Sequence, residues 1–216
     1  MEKKDIDICI TTYNRPVELL KTLKMLGKQT NTNFNLIIND DGSCDPINAA
    51  TYSIITKFIW NEDAGYHRVA RFNESVALCV SPYIILLDDD CIPTSNNFIQ
   101  AHLDTLKTAD VSRGIIKFWN GQTADGWFST ANLGIRKTVL DAIGLFDINF
   151  DGNYGHEDID FGKRLQDASY VLKNGEVGTQ ASHGNNLYAN GDRSVNIIGH
   201  NTKYFTEKWG LKPSEI

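Results

Sequence analysis

The chain has 216 residues, of which 41% are hydrophobic and 10% aromatic, a composition typical of a globular protein and incompatible with global disorder. Its formal net charge of −6 argues against nucleic acid as a general partner, because no basic stripe offsets the acidic excess. The longest apolar run, residues 83–87, is too short to span a bilayer, and residues 1–7 lack the features of a signal peptide. We therefore expect no integral membrane segment.

The four cysteines, Cys9, Cys44, Cys79 and Cys91, are scattered along the chain without a CxxC pair. This spacing is not that of a zinc site or of a disulfide framework. We expect reduced thiols and a cytoplasmic location.

The first half of the chain alternates apolar strands with amphipathic helices. Strands are predicted at residues 6–10, 34–39, 54–60 and 83–87, with helices beginning at Pro16 and covering residues 67–79. This alternation is typical of an α/β fold with a mostly parallel sheet and right-handed crossovers. Ligands of such sheets bind beyond the carboxyl ends of the strands, so we expect the polar clusters that follow the strands to share one functional edge.

The second half is less regular. Helices are predicted at residues 97–107, 157–166 and 195–209, the last interrupted near Gly199, and strands at residues 111–119 and 127–135 around a loop at 121–126. No internal repeat, low-complexity segment or linker divides the chain. A single domain over residues 1–216 is the simpler interpretation.

Three consecutive aspartates, Asp88, Asp89 and Asp90, end the most apolar predicted strand. Carboxylates two residues apart can share a divalent cation, one directly and one through water or a ribose hydroxyl, and Mn²⁺ or Mg²⁺ prefers such hard oxygen ligands. A nucleotide diphosphate would complete the metal's coordination. The alternative is a solvated acidic turn, and the position of the triplet after a buried parallel strand favours the metal site.

The loops after the first two strands offer contacts for a nucleotide. Asp40, which opens an Asp-Asp-Gly-Ser turn, could bond a nucleobase or ribose, although an ordinary turn explains the same residues. Thr11, Tyr13 and Arg15 could line a base pocket, with the same ambiguity.

Cations cluster near the start of the predicted helix at residues 67–79. His67, Arg68 and Arg71 follow a loop there, and a cation at a helix N-terminus could bind a diphosphate. The alternative is a set of solvated basic side chains on a helix surface.

Glu157 and Asp158 begin a predicted helix after a glycine-containing loop at residues 152–155. Such a carboxylate could act as a general base toward an acceptor hydroxyl. Acidic residues in a first helical turn also stabilise the helix, so a capping role is the alternative. His183 follows a predicted strand, and its neutral imidazole could be a third metal ligand or an ordinary structural residue.

Taken together, these residues resemble a family-2 glycosyltransferase with the GT-A fold, a Rossmann-like sheet flanked by helices with a smaller acceptor-side region. The opening motifs at residues 10–15, 39–43 and 87–90 match in order and spacing. The second half resembles the galactosyltransferase-like region of chondroitin-polymerase-type enzymes, on residues 132–137, 144–147 and 155–158. His156 departs from that pattern, which has tryptophan or glycine before Glu-Asp.

The resemblance implies a nucleotide diphosphate sugar donor, most commonly a uridine diphosphate sugar, a divalent metal, and inversion at the anomeric carbon during transfer to a glycan or other hydroxyl acceptor. It implies nucleotide-sugar binding by residues 1–93 and acceptor binding by residues 94–216. Asp40 would contact the base, Asp88 the ribose and metal, and Asp90 and His183 the metal. Asp158 would be the catalytic base and Glu157 would position the acceptor, although these two could exchange roles.

Three other functions remain open. A nucleotidyltransferase would favour a glycine-rich loop after the first strand, which residues 11–15 lack. A retaining transferase shares most of the motifs, and a nucleotide-sugar-binding module without turnover would keep the binding residues. Arg193 could reach the diphosphate from a closing loop, and Trp127 could stack on a sugar or belong to the core.

Overall fold

The computed structural model describes residues 2–118, 120–123, 128–183 and 199–216. The first elements in chain order are β1 (Ile6–Thr12), α1 (Pro16–Leu26), β2 (Phe34–Asp40), β3 (Lys57–Trp60), α2 (Arg68–Ala77), β4 (Tyr83–Asp88), β5 (Cys91–Pro93) and α3 (Phe98–Leu106). They are followed by β6 (Val111–Arg113), β7 (Ile116–Lys117), β8 (Asn132–Arg136), α4 (Lys137–Ile143), α5 (Glu157–Asp167), β9 (Leu172–Asn174), β10 (Ala181–His183) and α6 (Gly199–Trp209).

The described strands form two sheets. A seven-stranded sheet has the order β3-β2-β1-β4-β8-β6-β9, and a three-stranded sheet has the order β5-β10-β7. In the larger sheet β8 runs antiparallel to β4 and β6, and the other neighbouring strands are parallel. The predicted α/β fold with a mostly parallel sheet is confirmed.

Helices cover both faces of the larger sheet, and the pleat explains why apolar residues occupy successive positions in the middle of its central strands. Cys9 of β1 faces a core formed with Phe72 of α2, whereas Ile8 and Ile10 face the opposite core with Leu23 of α1. Successive side chains of a strand point to opposite faces, so a strand covered on both sides favours apolar residues on both faces. The buried Asp7 of β1 is an exception, and it accepts hydrogen bonds from Asn35 and Ser81.

The register of the parallel strands places their polar ends together. Thr11 of β1 lies opposite both Asn39 of β2 and Asp88 of β4, and Thr12 lies opposite Asp40. The three strands therefore end at one edge of the sheet, as the sequence predicts, and the loops that follow them build the site.

The prediction of one strand over residues 111–119 is wrong over its described part. The chain forms β6 and β7 instead, and these short strands belong to different sheets. Gly114 lies at the break, where its N–H donates to the carbonyl of Asn132 over 2.9 Å and a Cβ would lie 2.3 Å from the Asn132 side chain. This close approach turns the chain out of the larger sheet.

Other predicted boundaries shift. Residues 54–56 precede β3 because the N–H of Ile55 closes a turn on Tyr52 before the strand starts at Lys57. The strand predicted from residue 127 begins at Asn132. The last helix begins at Gly199, and residues 195–198 lie outside the described part of the chain. Among the described residues, no helix combines the length and apolarity needed to cross a membrane.

Candidate active site

The aspartate triplet lies at the end of β4 and its three carboxylates differ in exposure. The Asp88 side chain is 21% exposed, whereas those of Asp89 and Asp90 are 4% and 1% exposed. The Thr12 hydroxyl donates to Asp89 Oδ2 over 2.8 Å, and the Thr22 hydroxyl donates to the Asp89 carbonyl over 2.7 Å. The middle aspartate therefore faces β1 and α1 and shapes the turn.

Arg15 joins the loop after β1 to the same triplet. Its Nη1 lies 3.2 Å from Asp89 Oδ1, and its Nη2 pairs closely with Asp90 Oδ2. Burial opposes the guanidinium charge, but Asp89 and Asp90 raise the pKa of Arg15. This contact places the predicted nucleotide-binding arginine on two carboxylates of the triplet.

Arg68 connects the triplet to the second half of the chain. Its Nη2 donates to Asp88 Oδ1 over 2.6 Å, and its Nη1 donates to Glu157 Oε1 over 2.5 Å. Glu157 is buried at the start of α5, and its Oε2 has no hydrogen-bond partner among the described residues. One guanidinium thus brings together a predicted donor-binding residue and a predicted acceptor-binding residue.

Among the described residues at this edge, carboxylates outnumber arginines. Burial, together with repulsion from Asp90 and Asp88, raises the pKa of Asp89 to about 7 against the attraction of Arg15. Burial and the neighbouring Glu157 likewise raise the pKa of Asp158 to about 7, although Arg68 opposes the shift. Asp89 and Asp158 are therefore protonated more readily than usual, chiefly because burial disfavours their charged forms and neighbouring carboxylates add to that effect.

This donor set fits a hard divalent cation, since Mn²⁺ and Mg²⁺ prefer carboxylate oxygen and would offset the excess charge. In the described part of the chain, no three His, Cys, Asp or Glu side chains converge as a preformed metal centre. Asp88 is the most exposed carboxylate of the triplet, and Asp90 would have to exchange Arg15 for the metal. The backbone of His183 pairs with Cys91, next to the triplet, and its side chain lies outside the described residues.

The predicted base-binding residues lie at the ends of β1 and β2. Asp40 is buried, and its Oδ1 accepts from the N–H groups of Gly42 and Ser43 over 3.1 and 2.7 Å. Burial raises the pKa of Asp40 despite these bonds. Thr11 is buried on β1, and the Tyr13 hydroxyl donates to Asp63 over 2.8 Å. These contacts shape the turns after β1 and β2, and nucleoside binding there, including a base contact by Asp40, stays a prediction.

Arg71 occupies a different position from Arg68. Its Nε donates to Asp41 Oδ1 over 2.9 Å and its Nη1 to Glu74 over 2.8 Å, while Asp41 Oδ2 accepts from the His67 N–H. These contacts attach the start of α2 to the end of β2. They favour the structural alternative for Arg71, whose role at a diphosphate stays a prediction.

Asp151 is a site-building residue that sequence reasoning missed. Its Oδ1 accepts from the N–H groups of Val69 and Ala70 over 3.1 and 3.2 Å, and its Oδ2 lies 2.6 Å from His67 Nδ1. Asp151 therefore caps α2 from 82 positions away, which no local pattern reveals. The sequence predicts that a diphosphate binds at this helix N-terminus, but the carboxylate of Asp151 already accepts hydrogen bonds from the N–H groups there.

The remaining predicted residues, Arg193 and Trp127, lie outside the described residues. The predicted residues around the triplet and on the neighbouring strands form two groups. Arg15, Arg68, Glu157 and Asp158 surround the triplet, and Thr11, Tyr13 and Asp40 lie on the neighbouring strand ends.

Comparison with known proteins assigns this arrangement to a family. Residues 7–161 match the family described as Glycosyl transferase family 2, and the chain belongs to that family. It is 32% identical over 89 residues to validoxylamine A glucosyltransferase of Streptomyces hygroscopicus subsp. jinggangensis, covering 38% of this chain and 21% of that protein. It is 24% identical over 219 residues to hyaluronan synthase of Pasteurella multocida, covering 74% of this chain and 22% of that protein. The chain thus spans about a fifth of the length of these curated relatives.

Solved structures show the same fold. A mannosyltransferase of Pyrobaculum calidifontis, in complex with GDP-Man and Mn²⁺, aligns with a TM-score of 0.65 at 11% identity over 85% of this chain and 57% of that one. TarS of S. aureus aligns with a TM-score of 0.67 at 15% identity over 83% of this chain and 36% of that one. The predicted GT-A fold is confirmed.

The bridge made by Arg68 can be tested by its contribution to stability. Arg68→Met keeps an unbranched side chain but leaves two largely buried carboxylates without their shared cation, so we expect the free energy of unfolding to fall by about 3 kcal/mol. Lys137→Met, which removes an exposed ion pair with Asp141, should cost no more than about 1 kcal/mol. Urea denaturation measures both, and equal losses would contradict the central role of the bridge.

Proposed function

We propose that this protein transfers a hexosyl or N-acetylhexosaminyl group from a nucleotide diphosphate sugar, with uridine as the base, to a hydroxyl of a glycan or other acceptor, with inversion at the anomeric carbon. The observation that carries the proposal is the Arg68 bridge from Asp88 to Glu157. It unites the strand end expected to bind the donor with the helix start expected to meet the acceptor.

The donor side follows from the strand ends. The loops after β1 and β2 would hold the nucleoside, with Thr11, Tyr13 and Asp40 nearest the base. The guanidinium groups of Arg15 and Arg68 face the triplet and can bond diphosphate oxygens as they now bond carboxylates. A divalent cation held by Asp88, Asp90 and His183 would supply further charge stabilisation to the leaving diphosphate.

The acceptor side centres on Asp158. Its Oδ1 accepts from the N–H of Ile159 over 2.8 Å, and its raised pKa suits a group that must both accept and release a proton near neutral pH. In a single displacement the acceptor oxygen bonds to the anomeric carbon, the bond to the diphosphate oxygen breaks, and Asp158 accepts the acceptor's proton. Glu157, held by Arg68, would orient the acceptor.

The similarity to a hyaluronan synthase supports a glycan acceptor, and the resemblance of the second half to chondroitin-polymerase-type enzymes stays a prediction. The cytoplasmic location, the single domain over residues 1–216 and its two functional halves stay predictions. A retaining outcome, nucleotidyl transfer and binding without turnover are the results that would contradict the proposal.

Nucleotide recognition and metal dependence can be read from thermal stability. We expect UDP with Mn²⁺ to raise the melting temperature, because a ligand that binds only the folded state stabilises it by about 2.7 kcal/mol at a hundredfold excess over its Kd. UDP with EDTA should give little shift. A larger shift with GDP would name guanosine as the base, and equal shifts with and without metal would overturn the metal site.

The assignment of the base predicts the behaviour of Asp158→Asn. Transfer should fall by about 100-fold or more, because the amide cannot accept the proton, while UDP binding stays within about threefold of the wild type. Asp167→Asn, an exposed position of the same helix paired with Lys163, is the matched control and should transfer sugar normally. Loss of UDP binding in Asp158→Asn would indicate a structural cap instead.

The raised pKa of Asp158 predicts an acidic limb in the pH profile. The base works only when deprotonated, so kcat/KM for the acceptor should fall about tenfold per pH unit below about 7 and level off above it. Initial rates at saturating donor between pH 5 and 9 measure the limb. A profile that stays flat down to about pH 5 would remove Asp158 from this role.

A further inference from the structure

The loop at residues 150–155 leads directly into Glu157 and Asp158, and one side chain of the C-terminal helix holds it. Asn201, in the first turn of α6, is fully buried. Its Nδ2 donates to the carbonyls of Phe150, Asn153 and Gly155 over 3.0, 3.2 and 2.9 Å. Three backbone groups of one loop therefore converge on a single amide.

The chemistry of this contact determines how the amide is oriented. The three neighbouring atoms are all acceptors, so the NH₂ group must face them, and its two hydrogens serve the two shorter bonds best. Asn201 Oδ1 has no hydrogen-bond partner among the described residues. A carboxylate or a hydrocarbon at this position would leave the loop carbonyls without donors, which is costly in a buried site.

The loop has a backbone that needs such support. Gly152, Gly155 and His156 all have positive φ angles, of 81°, 92° and 69°, and His156 is the residue directly before α5. A non-glycine residue in this region is strained and persists only where its surroundings hold it. His156 Nε2 lies 2.8 Å from the Thr202 hydroxyl, so α6 also contacts the strained residue.

The same loop reaches the donor side of the site. Asp151 caps α2, and the N–H of Gly152 donates to the carbonyl of Tyr66 over 3.0 Å, just before Arg68. The loop therefore contacts the helix that carries Arg68, and it continues into the helix that carries Glu157. Its position determines how these two halves of the site meet.

We propose that Asn201 is a positioning residue for sugar transfer, which acts with Thr202 by holding the loop at residues 150–156 and through it Glu157 and Asp158. The inference rests on the proposed function. A displacement of about 1 Å in a reacting group can reduce a rate about 100-fold, so a small relaxation of this loop would affect turnover strongly.

The chain offers a control that loosens α6 elsewhere. The Tyr204 hydroxyl donates to Asp147 over 2.8 Å, and Asp147 precedes the loop whose carbonyls Asn201 contacts. Tyr204→Phe removes this bond and the 3.2 Å bond that the hydroxyl accepts from Asn149 Nδ2, but keeps the ring that packs on Phe150. It weakens the docking of α6 without removing a donor from the loop.

We expect Asn201→Asp to reduce kcat at least about 30-fold, with UDP–Mn²⁺ binding within about threefold of the wild type, because the reacting groups move while the nucleoside site stays intact. Thr202→Val should reduce kcat several-fold, and it tests the proposal if Asn201→Asp does not fold. Tyr204→Phe should stay within about twofold, whatever its loss of melting temperature. Equal losses of kcat in Asn201→Asp and Tyr204→Phe, or an unchanged kcat in Thr202→Val when Asn201→Asp is unfolded, would overturn the proposal.

Hydrogen exchange separates this inference from the proposed function. If the wild type turns over no nucleotide sugar, the proposed function fails, but the amides of residues 152–157 still report on the loop. Their exchange should be at least about tenfold faster in Asn201→Asp than in the wild type or Tyr204→Phe. Unchanged exchange would show that Asn201 does not hold the loop.

Discussion

The buried guanidinium of Arg68, shared between Asp88 and Glu157, is the interaction on which the rest of the site depends. Through Asp88 it contacts β4, and through Glu157 it contacts α5. Arg68 and Glu157 are 89 positions apart in the sequence. A largely buried charge of this kind is tolerated only with its partners in place, so the start of α2 has to be held accurately. Asp41 and Asp151 hold it from two sides, through the N–H groups of its first residues and of His67. The core of the sheet supports β4, and these polar contacts orient α2.

The electrostatics of the site point to a cationic partner for an anionic ligand. Among the described residues, Asp88, Asp89, Asp90, Glu157 and Asp158 lie around Arg15 and Arg68, and burial, followed by repulsion between carboxylates, raises the pKa values of Asp89 and Asp158. A diphosphate would add negative charge, which this edge can accept only with additional positive charge. A divalent cation at the triplet, as proposed above, would supply that charge.

The second half of the chain contributes mainly by holding backbone. Asp151, the strained residues before α5 and Asn201 of α6 form one connected support for the two carboxylates at the start of α5. Most of these residues touch no predicted ligand, and their effect is to place groups that do. A loop near reacting groups needs this support because backbone carbonyls left without donors would let it relax.

The sequence by itself determined the parallel strands, their common polar edge and the helix starting at Glu157, because apolar periodicity and turn residues are local properties. It also identified the triplet and the family. Only the tertiary structure decided that Arg68 bridges the two halves while Arg71 binds Asp41, and that Asp151 caps a helix far away along the chain. Such pairings depend on which side chains packing brings together, and neither periodicity nor spacing encodes that. The break at Gly114 has the same origin, since it depends on the approach of Asn132 from another strand.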